Sequence, residues 1–123
     1  MLKKANTPEE RIRCVEYLRK YNLESPTDCF LYIEDEISGE IMAVAGITIG
    51  LCDNYKMGYV EPYYADNNIV NMKLYCGCEG YLLACGCKYT VVGCEENPIT
   101  EEMYKTLGYK QWGKNMNQYI KTL

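Results

Sequence analysis

Two pairs of cysteines stand one residue apart, Cys76-Gly77-Cys78 and Cys85-Gly86-Cys87. Four thiolates would satisfy tetrahedral zinc. The spacing argues against it. Residues two apart on a helix point to roughly opposite sides, and the usual two-residue gap of zinc knuckles is absent. Eight reduced thiols, mostly buried and without a bound metal, are the expectation. The chain has no histidine, which removes the commonest general base, His-dependent nucleophiles and His-ligated metals. Chemistry is left to carboxylates, phenols, thiols, lysines and backbone amides. Thirteen tyrosines stand beside one Phe and one Trp. Buried phenols need hydroxyl partners, so several are expected to line a cleft or a contact surface.

The elements that must position these groups follow from periodicity. A length of 123 residues suits one domain with its own core. Leu2 to Lys4 reads as a short strand. Thr7-Pro8-Glu9-Glu10 opens a helix, with Thr7 as cap and Pro8 at the first position. Ile12, Val15, Leu18 and Tyr21 give it an apolar face. Strands follow at Cys29 to Glu34, Glu40 to Gly50 and Tyr55 to Glu61, an antiparallel meander. A helix runs from Asn67 to Cys85, with Ile69, Met72, Cys76 and Leu83 on one side and Leu74, Cys78, Leu82 and Cys85 beside them. Gly77 and Gly80 weaken it by about 1 kcal/mol each relative to Ala. Lys88 to Cys94 is a strand, Asn97-Pro98 a turn, and Thr100 to Leu107 a short helix stopped by Gly108. Tyr109 to Trp112 and Gln118 to Thr122 form a last strand pair across Gly113-Lys114-Asn115. The order is β-α-β-β-β-α-β-α-β-β, a mixed sheet of the α/β (α+β) class in a single domain, 1–123.

Net charge is −4 without a basic run, which argues against nucleic acid as partner. No apolar stretch approaches the roughly 20 residues of a membrane span. The first residues lack the apolar region of a signal peptide. A cytoplasmic protein is expected.

This order resembles the GNAT (Gcn5-related N-acetyltransferase) superfamily, and local residues agree. Leu2 to Glu10 looks like the usual first strand and helix start. Tyr59-Val60-Glu61-Pro62 looks like the Val-x-Pro end of the fourth strand. Asn97, then Tyr104, then Leu107-Gly108-Tyr109 resembles the family's Asn…Tyr…Leu-Gly-Phe segment. The resemblance implies a mixed sheet in which the Tyr55–Glu61 and Lys88–Cys94 strands are parallel neighbours that splay apart. It implies acetyl-CoA in that cleft, with the pyrophosphate on backbone amides of Asn67, Asn68, Ile69 and Val70 and with Asn97 nearby. Tyr104 matches the general acid that protonates the departing thiolate, and Glu61 lies near where a base is placed.

The phosphate loop departs from the pattern. The family has Gln or Arg, two residues, Gly, one residue, Gly or Ala; this chain has Ala65-Asp66-Asn67-Asn68-Ile69-Val70. Glycines let phosphates approach the backbone. Asp66 adds a like charge, and two unit charges about 5 Å apart repel by roughly 3 kcal/mol at an effective dielectric of 20. Two readings follow. One is a pseudoenzyme with no cofactor that binds a protein, or a second copy of itself, through a tyrosine rim at Tyr63 and Tyr64. Small tailed-phage proteins, internal virion proteins among them, look similar, which places the chain in host cytoplasm or virion. The other is an active acetyl-CoA-dependent N-acetyltransferase acting on a primary amine. In the first reading Ile69 and Val70 narrow the cleft from within.

Overall fold

The computed structural model describes residues 2–52, 54–93, 102, 104–111 and 118–123. After β1 (Leu2–Lys4) comes α1 (Pro8–Arg19). Thr7 is extended and its Oγ1 accepts the Glu10 amide, while Pro8 needs no hydrogen-bond acceptor in the first turn. The buried face of α1 is Cys14, Tyr17 and Leu18. The expected stripe is therefore rotated: Leu18 belongs to it, but Ile12 and Tyr21 are exposed. The Tyr17 hydroxyl fixes the rotation, because its one proton is shared between the Met42 carbonyl and Asp66 Oδ1. A phenol with such partners is a core residue.

The meander is β2 (Phe30–Glu34), β3 (Ile41–Cys52) and β4 (Tyr55–Ala65). Side chains alternate across it. Leu31, Ile33, Ala43, Ala45 and Ile47 face one core, while Phe30, Tyr32 and Val44 face the α1 core. β4 does not end at Glu61 as expected but runs four residues further. Ala45 pairs with Tyr63 and Ile47 with Val60, so Glu61 and Pro62 together oppose Gly46. This is a bulge. Pro62 sits where the ladder needs no N–H from it. A side chain at position 46 would meet Ser25 Oγ at 2.7 Å and Pro62 Cδ at 3.1 Å, which explains the glycine.

After α2 (Asn68–Ala84), β5 (Tyr89–Gly93) lies parallel to β4, from Met57–Tyr89 to Val60–Val92. Beyond Val60, β4 continues beside β3 alone among the described residues. The parallel neighbourhood of these two strands is as expected, and the chain directly after Gly93 lies outside the described residues. β6 (Lys110–Gln111) and β7 (Gln118–Thr122) complete a seven-stranded sheet of order β1-β2-β3-β4-β5-β7-β6. The 104–106 stretch is helical, and Gly108 at φ +91° follows it. Asn97, Pro98, Thr100 and the turn at Gly113 lie outside the described residues. Among the described residues no helix is long and apolar enough to cross a membrane.

α2 packs on the face opposite α1. Its buried residues are Val70, Leu74, Tyr75, Cys78 and Leu82. Of the two apolar stripes in its sequence, the one through Leu74, Cys78 and Leu82 faces the core; Ile69, Met72, Cys76 and Leu83 are exposed. Gly58 in β4 fixes this choice. A Cβ there would lie 2.3 Å from Leu82 Cδ2, so the missing side chain is the socket for Leu82.

Candidate functional site

Five phenols gather beside the far end of β4. β4 contributes Tyr63, α2 contributes Tyr75, the 104–106 turn contributes Tyr104, and Tyr109 and Tyr119 come from the C-terminal strands and their approach. The Tyr104 hydroxyl bonds both the Tyr63 hydroxyl and the Tyr75 hydroxyl, the latter at 2.5 Å. Tyr104 stacks on Tyr119 with centroids 4.9 Å apart and meets Tyr75 and Tyr109 edge-on. Such pairs add to the gain from buried area. Tyr104 is 0% exposed and Tyr75 1%. Burial first, then the neighbouring Tyr63, pushes the Tyr75 phenol well above its ordinary range. At the outer edge the Tyr109 hydroxyl donates to Glu79 Oε1 at 3.0 Å, and Lys121 Nζ reaches both Glu79 oxygens at 3.1 Å.

Of the residues expected at the site, Tyr104 stands at the centre of this cluster. Glu61 is exposed at the bulge and makes no hydrogen bond or ion pair among the described residues. Asn97 lies outside the described residues. Tyr63 and Tyr64, expected together at a rim, face opposite sides of β4: Tyr63 turns inward to Tyr104, whereas Tyr64 is 37% exposed and stacks on Tyr21 at 3.6 Å. Successive strand residues alternate faces, so the pair cannot share one surface. Tyr21 also lines a groove of about 360 Å³ beside α1, whose walls carry charges of both signs. Tyr75 and Tyr119 were not singled out in the sequence. The available signal was the excess of tyrosine over phenylalanine.

The α2 N-terminus offers fewer amides than its sequence position suggests. Asn67 caps the helix, its Oδ1 taking the Val70 amide at 3.0 Å. The amides of Asn68 and Ile69 have no partner among the described residues, and they carry the positive end of the helix dipole. Val70 is 7% exposed and belongs to the core. Ile69 is 70% exposed. Ile69 thus points to solvent, while Val70 packs inward. Asp66 also differs from its expected part. Its carboxylate accepts the Tyr17 hydroxyl at 2.7 Å, on the side of α1 rather than over the first turn of α2. The repulsion estimated for a phosphate is correspondingly weaker.

Six cysteines whose side chains are described are free thiols: Cys14, Cys78 and Cys87 buried, Cys29 and Cys85 half-buried, Cys76 exposed. Cys76 and Cys78 lie on opposite sides of α2, as residues two apart must. No group of three metal-ligating side chains occurs among the described residues. Burial pushes the Cys14 thiol up to about 12 and raises Cys78. Burial is also the first cause of the upward shifts of Tyr17, Tyr75 and Tyr109. In the unfolded chain thiols titrate near 8.5 and phenols near 10. On raising the pH, the unfolded state therefore loses protons first, and stability falls with pH. Denaturation midpoints are expected to hold below about pH 8 and to drop progressively above about pH 9. A midpoint unchanged to about pH 11 contradicts the burial of these groups.

A seven-stranded mixed sheet with a helix after its fourth strand and a fifth strand parallel to the fourth is the fold seen in the GNAT acetyltransferases. A GNAT-family acetyltransferase from Listeria monocytogenes superposes with TM-score 0.72 at 14% identity, over 100% of this chain and 94% of that one. A chain of the NatC complex bound to Gag peptide and CoA gives 0.80 at 14% identity, over 100% and 98%. The aminoglycoside N-acetyltransferase AAC(6')-Iy in complex with CoA gives 0.71 at 14% identity, over 94% and 96%. No family model matches the sequence, and no curated protein matches it.

Proposed function

We propose that this chain is a non-catalytic GNAT-fold domain that acts by binding another protein in the cytoplasm, or in a virion if phage-encoded. The observation that carries this reading is the sealing of Tyr104. A general acid must reach the leaving sulfur, yet Tyr104 has no exposed surface and its hydroxyl is engaged by Tyr63 and Tyr75. The residues beside the end of β4 do not fit coenzyme A: the Tyr63, Tyr75 and Tyr104 hydroxyls are engaged with one another there, and the Val70 amide is occupied by Asn67. Calorimetric titration with acetyl-CoA is expected to give a dissociation constant above about 1 mM, equivalent to less than roughly 4 kcal/mol. Micromolar binding overturns the reading.

A second reading, an acetyl-CoA-dependent N-acetyltransferase acting on a primary amine, is favoured by the free amides of Asn68 and Ile69 at the start of a long helix. In it Glu61 serves as base and Tyr104 as acid, which requires Tyr63 to swing away. For protein binding, the exposed Tyr64 on Tyr21 is the aromatic anchor. Tyr64→Ala is expected to cost 2 kcal/mol or more of partner affinity, about thirtyfold, in a pull-down with folding checked first. Tyr63 is left intact in this test because it supports the core. Unchanged capture removes Tyr64 from the interface.

A further inference from the structure

α2 is apolar on both sides. A surface helix ordinarily shows a polar face to solvent. Here the exposed residues include Ile69 at 70%, Met72 at 42%, Leu83 at 59%, and Cys76 and Gly80. Lys73 is the sole charged residue among those α2 exposes, and Glu79 is engaged by Tyr109 and Lys121. The stripe runs the length of the helix, about 25 Å at 1.5 Å per residue.

Its composition indicates what covers it. Cys76 is the centre: Ile69 and Leu83 stand seven residues to either side, and Met72 and Gly80 four to either side. When two copies of a helix pack antiparallel across a two-fold axis, residues equidistant from the centre come to the same height, on opposite sides of the seam. Ile69 then lies beside the partner's Leu83, and long Met72 beside the partner's Gly80, where nothing stands within 4 Å of a Cβ. Cys76 meets the partner's Cys76. The inner layers join a large side chain to one that leaves room for it, the central layer joins a medium one to its twin, and the outer layers close the seam with two apolar side chains each. Such self-complementarity is what an isologous contact requires.

We propose that α2 pairs antiparallel with α2 of a second copy, centred on Cys76. The inference is independent of whether acyl transfer survives. A seam of about 25 Å by about 10 Å is small against the roughly 800 Å² per partner of a standard interface. A weak, concentration-dependent dimer is therefore expected.

The test is sedimentation equilibrium from about 10 μM to about 1 mM, the range in which an interface of this strength dissociates. Wild type should shift from monomer to dimer. Leu83→Glu should remain monomeric across the range. So should Gly80→Glu, which fills the space Met72 needs while replacing a residue that weakens the helix, so loss of folding does not account for the result. In a Cys76→Ser background, a short bismaleimide should link Ile69→Cys chains to Leu83→Cys chains, with the linked residues mapped by mass spectrometry. A wild type monomeric throughout, a dimer indifferent to both glutamates, or position 69 linked to position 69 of its partner each overturns the proposal.

Discussion

Tyr104→Ala is expected to destabilise the protein by about 3–5 kcal/mol, the range for removing a buried aromatic ring. Its ring contacts Tyr75, Tyr109 and Tyr119, and its side chain is fully buried. The cavity would open among residues from β4, α2 and β7, elements that cannot close on it without moving the sheet. Small domains carry only about 5–15 kcal/mol in total, so a large part of the stability is at stake. Tyr104→Phe separates ring from hydroxyl. It keeps the packing and removes one member of a hydroxyl cluster. The cost should be nearer 1 kcal/mol. Urea unfolding followed by circular dichroism decides both. A Tyr104→Ala variant within about 1 kcal/mol of wild type would mean that the ring is not packed as described, and the sealing that carries the non-catalytic reading would fall with it.

The same residue shows how far the sequence could be read. Its position in the chain was recoverable from the Asn…Tyr…Leu-Gly-Tyr spacing, but its surroundings were not. Tyr63 follows Pro62, and a proline after a strand-like run reads as an end. The bulge opposite Gly46 lets β4 continue instead, and that continuation turns Tyr63 inward. Nothing local announces a bulge whose cause is a glycine in the neighbouring strand. Helix ends were easier, because caps are local. Asn67 starts α2, and Gly86, at φ +84°, lies just past its end. The buried side of α2 was harder. Two apolar stripes lie side by side on it, and periodicity is equally satisfied by either. The choice is made by Gly58, in an element ten residues earlier than Asn68. The parallel pairing of β4 with β5 was legible from element order alone, since a strand-helix-strand crossover leaves little freedom.

Gly58→Val is expected to be the most damaging substitution on β4, at about 3 kcal/mol, the upper end for forcing volume into a packed core. A Cβ at this position already lies 2.3 Å, 2.4 Å and 2.8 Å from Leu82 Cδ2, Cδ1 and Cγ. Leu82 is itself fully buried and cannot retreat into solvent. Gly58 also pairs with Ile49 on one side and Thr90 on the other, so the strand has no free edge toward which to shift. α2 must lift instead, which disturbs Leu74 and Tyr75 on the same face. Leu82→Ala alone should cost about 2–5 kcal/mol through the cavity it leaves. Together the two changes exchange volume across the same contact. The double variant should therefore be more stable than the sum of the single losses predicts, by at least about 1 kcal/mol, within the range for residues in contact. Additive losses would show that Gly58 is not the socket that seats α2. The register that brings Tyr75 against Tyr104 would then have some other origin.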